Sequence, residues 1–229
     1  MPKALTPFLF SLAFSAPLLA SETPSTSGLV ADERKIETVF KWSRDKCFDE
    51  NIPDSAARAF RSPTGLVNLY ATHYKNIPLV GSTLNDVRPE CGNKFEAAMS
   101  STPQSYNARV WLQTFYSTDG GKNIYSLASS DYHGRWFKNC DESKKKNQGC
   151  WWSAIVLAHS DDGGKSFKMA PPPNHIVARS PHDFSKHKGG PVGFLTTSNM
   201  VKVGNYYYAL FNVAGNGQQD KGNCIARTD

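Results

Sequence analysis

From about residue 57 onward, apolar and polar residues alternate with a period of two in short runs closed by Gly, Pro, Asn, Asp and Ser. Such alternation predicts strands that each turn one face to a core. Residues 57–61 run into a turn at Ser62-Pro63-Thr64-Gly65, and 66–73 return with Val67, Leu69 and Ala71 on one side. Stretches 79–80 and 87–89 complete a first set of four. Hairpins follow at 110–117 with 123–130, at 152–159 with 167–170, and at 199–203 with 206–212. Helical spacing is confined to 31–42 and 93–100. With turn signals about every ten residues, the chain reads as all-β.

Two of the turns share one design. Ser160-Asp161-Asp162-Gly163-Gly164-Lys165-Ser166-Phe167 reads Ser-x-Asp-x-Gly-x-Ser-Phe: Asp162 can accept from turn amides, Gly164 supplies a positive φ, and Phe167 begins a returning strand with its ring buried. Upstream, Ser117-Thr118-Asp119-Gly120-Gly121-Lys122-Asn123-Ile124 keeps Ser, Asp and Gly but closes on Asn-Ile. Two turns of one design, a blade-like interval apart, point to a repeat architecture. Gly164-Lys165-Ser166 also matches the end of a phosphate-binding P-loop. That loop needs Gly where His159 stands, and a helix where Lys168-Met169-Ala170-Pro171 cannot continue one.

The 160–167 stretch resembles the Asp-box, the hairpin turn repeated in sialidase-like β-propellers. With its weaker copy, it makes the chain similar to the sialidase-like and five-bladed-propeller glycoside hydrolase group. The resemblance implies a β-propeller over 31–229. Strand material for about three blades is present, where a propeller usually has four or more, so a partial propeller from a longer chain is expected. The odd cysteine and the strand-like run Cys224-Ile225-Ala226-Arg227-Thr228-Asp229 agree with that. Sialidases carry Arg-Ile-Pro at the first inner strand; here Asn51-Ile52-Pro53 has Asn at the Arg position, leaving Arg58 or Arg61 as substitutes. Propellers of the arabinanase and xylosidase type use an Asp base, a second Asp and a Glu acid. Asp54 and Asp131 match the two Asp roles, whereas Glu90, Glu96 and Glu142 lie outside regular strand context.

The residues themselves support the same chemistry, because glycoside hydrolysis needs two carboxyl groups about one bond. Asp54 stands just before the first inner strand, with Arg58 within it; a structural alternative is an acceptor for loop amides beside Pro53. Asp131 and His133 are two apart, so in an extended segment both face one side while Tyr132 faces the other. Ordinary strand-end residues are the alternative there. His73 closes the corresponding strand of the first set. Trp136, Trp151, Trp152 and the Tyr206-Tyr207-Tyr208 run can stack on sugar rings, although adjacent members of a strand point opposite ways and most belong to a core. The expected set is therefore Asp54 and Asp131 as catalytic carboxyls, with Arg58, His73, His133 and Trp152 binding substrate.

The chain ends and cysteines set the compartment. Residues 1–20, with Lys3 and an apolar run over 4–16, read as a secretory signal; a membrane anchor is disfavoured by the shortness of the run and by Pro7 and Pro17. Residues 21–30 read as a disordered leader. Secretion, or export to a periplasm, makes disulfides the natural use of cysteine: Cys140 with Cys150 first, then Cys47 with Cys91, leaving Cys224. The net charge of +6 favours anionic polymers or glycans as partners, and neither a recognition motif nor a dense basic stripe points to nucleic acid. No cofactor or metal is expected: Gly-x-Ser-x-Gly, His-Glu-x-x-His and Rossmann patterns are absent, and His175, His182 and His187 are irregularly spaced. A non-catalytic glycan-binding or adhesion propeller is the rival expectation.

Overall fold

The computed structural model describes residues 36–71, 73–92, 94–145, 149–187, 189–215 and 219–228. The chain divides into two units, Met1–Ile36 and Glu37–Asp229, and every described strand belongs to the second. The expected signal sequence and leader lie outside the described residues.

Strands β1 (Arg58–Arg61), β2 (Val67–Tyr70), β3 (Leu79–Gly81) and β4 (Arg88–Pro89) form an antiparallel meander in chain order. That is the strand layout of a propeller blade. A second, nine-stranded sheet contains β5 (Arg109–Tyr116), β6 (Ile124–His133), β7 (Trp151–Ser160), β8 (Lys168–Met169), β9 (Ile176–Arg179), β10 (Pro191–Thr197), β11 (Val201–Val203), β12 (Tyr206–Ala214) and β13 (Gly222–Arg227). Its path runs β11-β12-β10-β7-β6-β5, with β13 on β12 and with β8 and β9 on β7. The all-β expectation holds, and the strand set accords with an incomplete propeller. One junction departs from separate blades: β10 joins β7 in parallel, Pro191–Gly193 against Trp151–Ser153, so the later strands prolong the second sheet. The expected helix over 93–100 is extended, with Phe95 and Ala97 buried. Of 31–42, the described part contributes only Trp42 to a one-turn helix, Trp42–Asp45.

One edge of β7 is taken by β6 along its whole length, and the other is shared by three short partners: β10, then β9, then β8. The close approach of β10 depends on Gly193, whose φ is +110 and where a Cβ would stand 1.9 Å from the Ser153 carbonyl oxygen. Gly193→Ala is therefore expected to cost about 2–3 kcal/mol through backbone strain and displacement of β10. Urea unfolding measures this, and an unchanged midpoint would show that β10 does not need the close approach.

The second sheet separates two cores. On one face Val110, Leu112, Ala128, Tyr132, Trp152, Ala154 and Val156 pack with Tyr70 and Phe167. Phe60, Tyr70, Phe115 and Phe167 form an aromatic cluster between the two sheets, with Tyr70 and Phe115 centroids 4.7 Å apart. On the other face Leu127, Ile155, Ala209 and Phe211 make a smaller cluster. A bulge at Gln113 shifts the register of β5 against β6 and so returns odd-numbered Phe115 to the face of even-numbered Leu112. The open edge of β5 is met by a side chain: buried Asn76 donates to the Val110 carbonyl and accepts from the Leu112 amide, both at 2.8 Å.

The two similar turns carry one hydrogen-bond wiring. Ser160 Oγ donates to Asp162 (2.7 Å) and accepts from Gly164 N–H (2.8 Å), while Asp162 accepts from the Ser166 amide and hydroxyl. In the upstream turn Ser117, Asp119, Gly121 and Asn123 repeat these bonds, the Asn123 carboxamide standing in for the Ser166 hydroxyl. The turns do not occupy equivalent places in two blades. They close adjacent hairpins of one sheet and touch, Gly163 N–H donating to the Lys122 carbonyl at 3.0 Å. For Asp162, burial raises the pKa, but the Ser166 and Ser160 bonds overcome it and hold the carboxyl at about 2. A carboxyl lowered in this way adds stability that is complete above the unfolded value of about 3.9 and fades as pH falls through the folded value. Asp162→Asn is expected to be less stable than the parent at pH 7, with the gap closing towards pH 2. A gap independent of pH in thermal melts would contradict this.

Candidate functional site

Strands β6 and β7 are covered on both faces, so their polar side chains stand out against apolar neighbours. Along the face that begins with Leu127 and Ile155, the side chains turn polar and then aromatic: Ser129, Asp131 and His133 on β6, opposite Ile155, Ser153 and Trp151 on β7. Trp111 lies across from Ser129 on β5. A cavity of about 210 Å³ opens here, lined by Asp54, Trp111, Gln113, Ser129, Asp131, Trp151, Leu195 and Thr196. It is smaller than the roughly 300–1,000 Å³ of drug-sized sites.

Asp54 and Asp131, far apart in sequence, thus line one cavity in different environments. Asp54 is partly exposed; its Oδ2 accepts from the Trp111 indole N–H at 3.0 Å and lies 3.9 Å from His73 Nε2. Asp131 is 8% exposed and accepts from Ser153 Oγ (2.6 Å) and Ser129 Oγ (3.1 Å). Burial pushes its carboxyl up to about 6, against the serine bonds and the nearby Trp151 indole, and the negative charge of Asp54 pushes the same way as burial. Divergent carboxyl environments are what separate an acid from a base in one site.

The other expected contacts divide. His73 sits beside Asp54, its ring packed on Tyr74 (4.4 Å) and edge-on to Trp111 (5.7 Å), and burial lowers its pKa against the pull of Asp54. His133 lies on the Asp131 side as its spacing requires, stacked between Trp136 (4.1 Å) and Trp151 (4.7 Å). Burial first, then Arg135 and Arg109, lower its pKa to about 3, so the imidazole is neutral at pH 7. Arg58 is not among the cavity residues and donates to the adjacent Ala57 carbonyl. Trp152 requires correction: it is 2% exposed in the main core, with its indole N–H donating to Tyr106 Oη. Strand alternation turns Trp151, one residue earlier, to the cavity instead.

Bridges Cys140–Cys150 and Cys47–Cys91 are formed, and Cys224 is free and exposed. The first lies where the chain enters β7: Gly134 N–H donates to the Cys150 carbonyl at 2.8 Å, tying the turn that bears Trp136 to the start of the strand that bears Trp151. Sequence reading missed Trp111, Gln113, Ser153 and the β10 wall. Ser153 was legible as a polar residue at the core end of an apolar strand; Leu195 and Thr196 follow Pro191-Val192-Gly193, whose Pro and Gly obscure a strand. Among the described residues no group of three or more His, Cys, Asp or Glu side chains is placed to hold a metal ion, and no described helix is long and apolar enough to cross a membrane.

No protein-family model matches the sequence, and no curated protein matches it. Among solved structures, the chain is similar to Cellvibrio cellulosa alpha-L-arabinanase at 11% identity, covering 79% of this chain and 71% of that one with a TM-score of 0.37. A Bombyx mori GH32 beta-fructofuranosidase matches at 14% identity over 78% of this chain and 36% of its own, TM-score 0.39. An exo-1,5-alpha-L-arabinanase from a bovine ruminal metagenomic library matches at 11% over 75% and 69%, TM-score 0.35.

Proposed function

We propose that this protein is an exported glycoside hydrolase whose 31–229 region is part of a β-propeller, acting on extracellular carbohydrate. Asp131 is the general acid, and Asp54 is the nucleophile or the base that activates water. The observation that carries this is the pairing of two carboxyl groups at one cavity, one partly exposed and the other buried with its pKa raised to about 6. In the reaction Asp131 gives its proton to the leaving glycosidic oxygen as the bond to the anomeric carbon breaks, and Asp54 or a water it deprotonates forms the new bond. Trp111 and Trp151 supply the flat apolar walls on which a sugar ring stacks. The two disulfides favour an oxidising compartment.

A glycan-binding propeller without turnover is the second reading. It is favoured by the absence of a Glu among the cavity-lining residues. Assay of the full chain against aryl glycosides and polysaccharides, arabinan among them, separates the two. Turnover abolished by Asp54→Asn supports hydrolysis. Saturable glycan binding with no turnover, unaltered by Asp54→Asn and Asp131→Asn, defeats it.

A further inference from the structure

We infer that Gln113 is a specificity-determining residue of the cavity: its carboxamide, fixed from β10, turns its N–H donors towards the occupant and selects a neutral sugar that offers one particular hydroxyl oxygen as acceptor. The inference rests on the glycan reading above and narrows what the cavity accepts. Strands β5 and β10 are not neighbours, because the sheet runs β10-β7-β6-β5. Yet Gln113 Oε1 accepts from the Thr197 N–H at 3.0 Å. One side chain thus ties strands that are three places apart, and it does so at the cavity that the curl of the sheet encloses.

Both of the tied strands bulge at this place. The β5–β6 register shifts between Leu112 and Thr114, and the β10–β12 register between Phe194 and Thr196. Gln113 and Leu195 are the extra residues, and both line the cavity. A bulge gives up ladder pairing and re-aims a side chain, so two bulges meeting at one small cavity give it one polar and one apolar contact. The orientation of the carboxamide follows from its bond: only the oxygen can accept from a peptide N–H, which leaves both donors on Nε2. Gln113 is 8% exposed, and among the described residues no acceptor meets Nε2. That atom keeps access to the cavity space instead of being sealed in protein. A half-bonded amide at a cavity wall calls for an acceptor from the occupant. The carboxyl groups of Asp54 and Asp131 in the same cavity disfavour an anion, so the acceptor that suits is a neutral hydroxyl oxygen, with Leu195 and the Trp111 and Trp151 rings against the apolar parts of the sugar.

The test follows tryptophan fluorescence while the full-length protein is titrated with L-arabinose, D-xylose, D-galactose and D-fructose, and then with the monodeoxy derivatives of the tightest binder. Gln113→Glu keeps an oxygen for Thr197 N–H but loses the donors, whereas Gln113→Met loses both. The expected result is that deleting one hydroxyl weakens binding to the parent roughly three- to tenfold, while the same deletion leaves Gln113→Glu and Gln113→Met within about twofold. Both variants bind the intact sugar more weakly than the parent. Thermal melts confirm that each variant is folded; Gln113→Glu, which retains the tie to β10, reads the donors even if Gln113→Met does not fold. A purely structural tie predicts weakened binding in Gln113→Met alone. That outcome, or every deoxy sugar losing the same factor in the parent and in Gln113→Glu, would overturn the inference and leave the glycan reading standing. Failure of all four sugars to bind would also remove the inference, and if arabinan and the other polysaccharides fail as well, the glycan reading falls with it.

Discussion

Replacing Asn76 by Ala is expected to destabilise the fold by about 3–5 kcal/mol. The side chain is fully buried. The two N–H groups of its Nδ2 are shared among the carbonyls of Tyr74 (2.8 Å), Phe95 (3.1 Å) and Val110 (2.8 Å), and its oxygen accepts from Leu112 N–H (2.8 Å). The bonds to Val110 and Leu112 copy those of a peptide group in a neighbouring strand, so the carboxamide closes the edge of β5 where no strand follows. Truncation leaves the Leu112 amide and the Phe95 and Val110 carbonyls buried and unanswered, at about 1–3 kcal/mol each before relaxation. It also puts Ala at φ 50, a conformation Asn tolerates better. Denaturant unfolding of Asn76→Ala and Asn76→Asp measures the loss. A cost under about 1 kcal/mol for the alanine variant would mean that water replaces the carboxamide and the edge is not sealed.

For Asp131→Asn, turnover is expected to fall by roughly 10²–10⁴-fold, the usual worth of a positioned general acid, while stability holds or rises. The two effects have one origin. Burial raises the carboxyl to about 6, so folding holds a proton that the unfolded chain, with a carboxyl near 3.9, has released. Its contribution is complete below about pH 4 and is lost as pH rises through about 6, which leaves the wild type less stable at pH 7 than a neutral amide would be. In the parent, kcat/KM should therefore decline above about pH 6, a limb that Asp131→Asn removes along with most of the rate. Asp54 and Arg109 face this group and act in opposite senses, Asp54 favouring the neutral carboxyl. Full activity in the asparagine variant, or a pH profile flat from 5 to 8, would take the acid role from Asp131.

The legible part of this protein was its local grammar. Period-two alternation located β1, β2, β5, β6, β7 and β12 to within a few residues, because each turns at least one face inward, whereas β11, exposed at all three positions, was marked by the turn that follows it. The spacing of Asp131 and His133 placed both on one side of β6, and Asp54 was marked by its position before β1. Long-range pairing was not legible. Nothing local says that Trp111 supplies the hydrogen bond to Asp54, or that the bulge at Gln113 exchanges the faces of β5. Trp151 and Trp152 look alike in sequence; the register of β7 against β6 decides which one meets the cavity. The two similar turns suggested one per blade, yet a shared turn design reports how a hairpin closes, not which sheet it closes in.

The cavity wall built by β10 joins β7 over three residues in parallel, with β12 on its other edge, whereas β6 and β7 pair over ten positions. Parting β10 from β7 is therefore expected to be a cheaper event than parting β6, which carries Asp131, from β7. Amides of 191–197 should exchange with deuterium faster than those of 151–160, and a sugar filling the space beside Leu195 and Thr196 should slow that exchange selectively; equal protection of both strands would show a single cooperative unit. The site's specificity and the cohesion of its own third wall are then thermodynamically linked, with the ligand acting as one of the contacts that complete the fold.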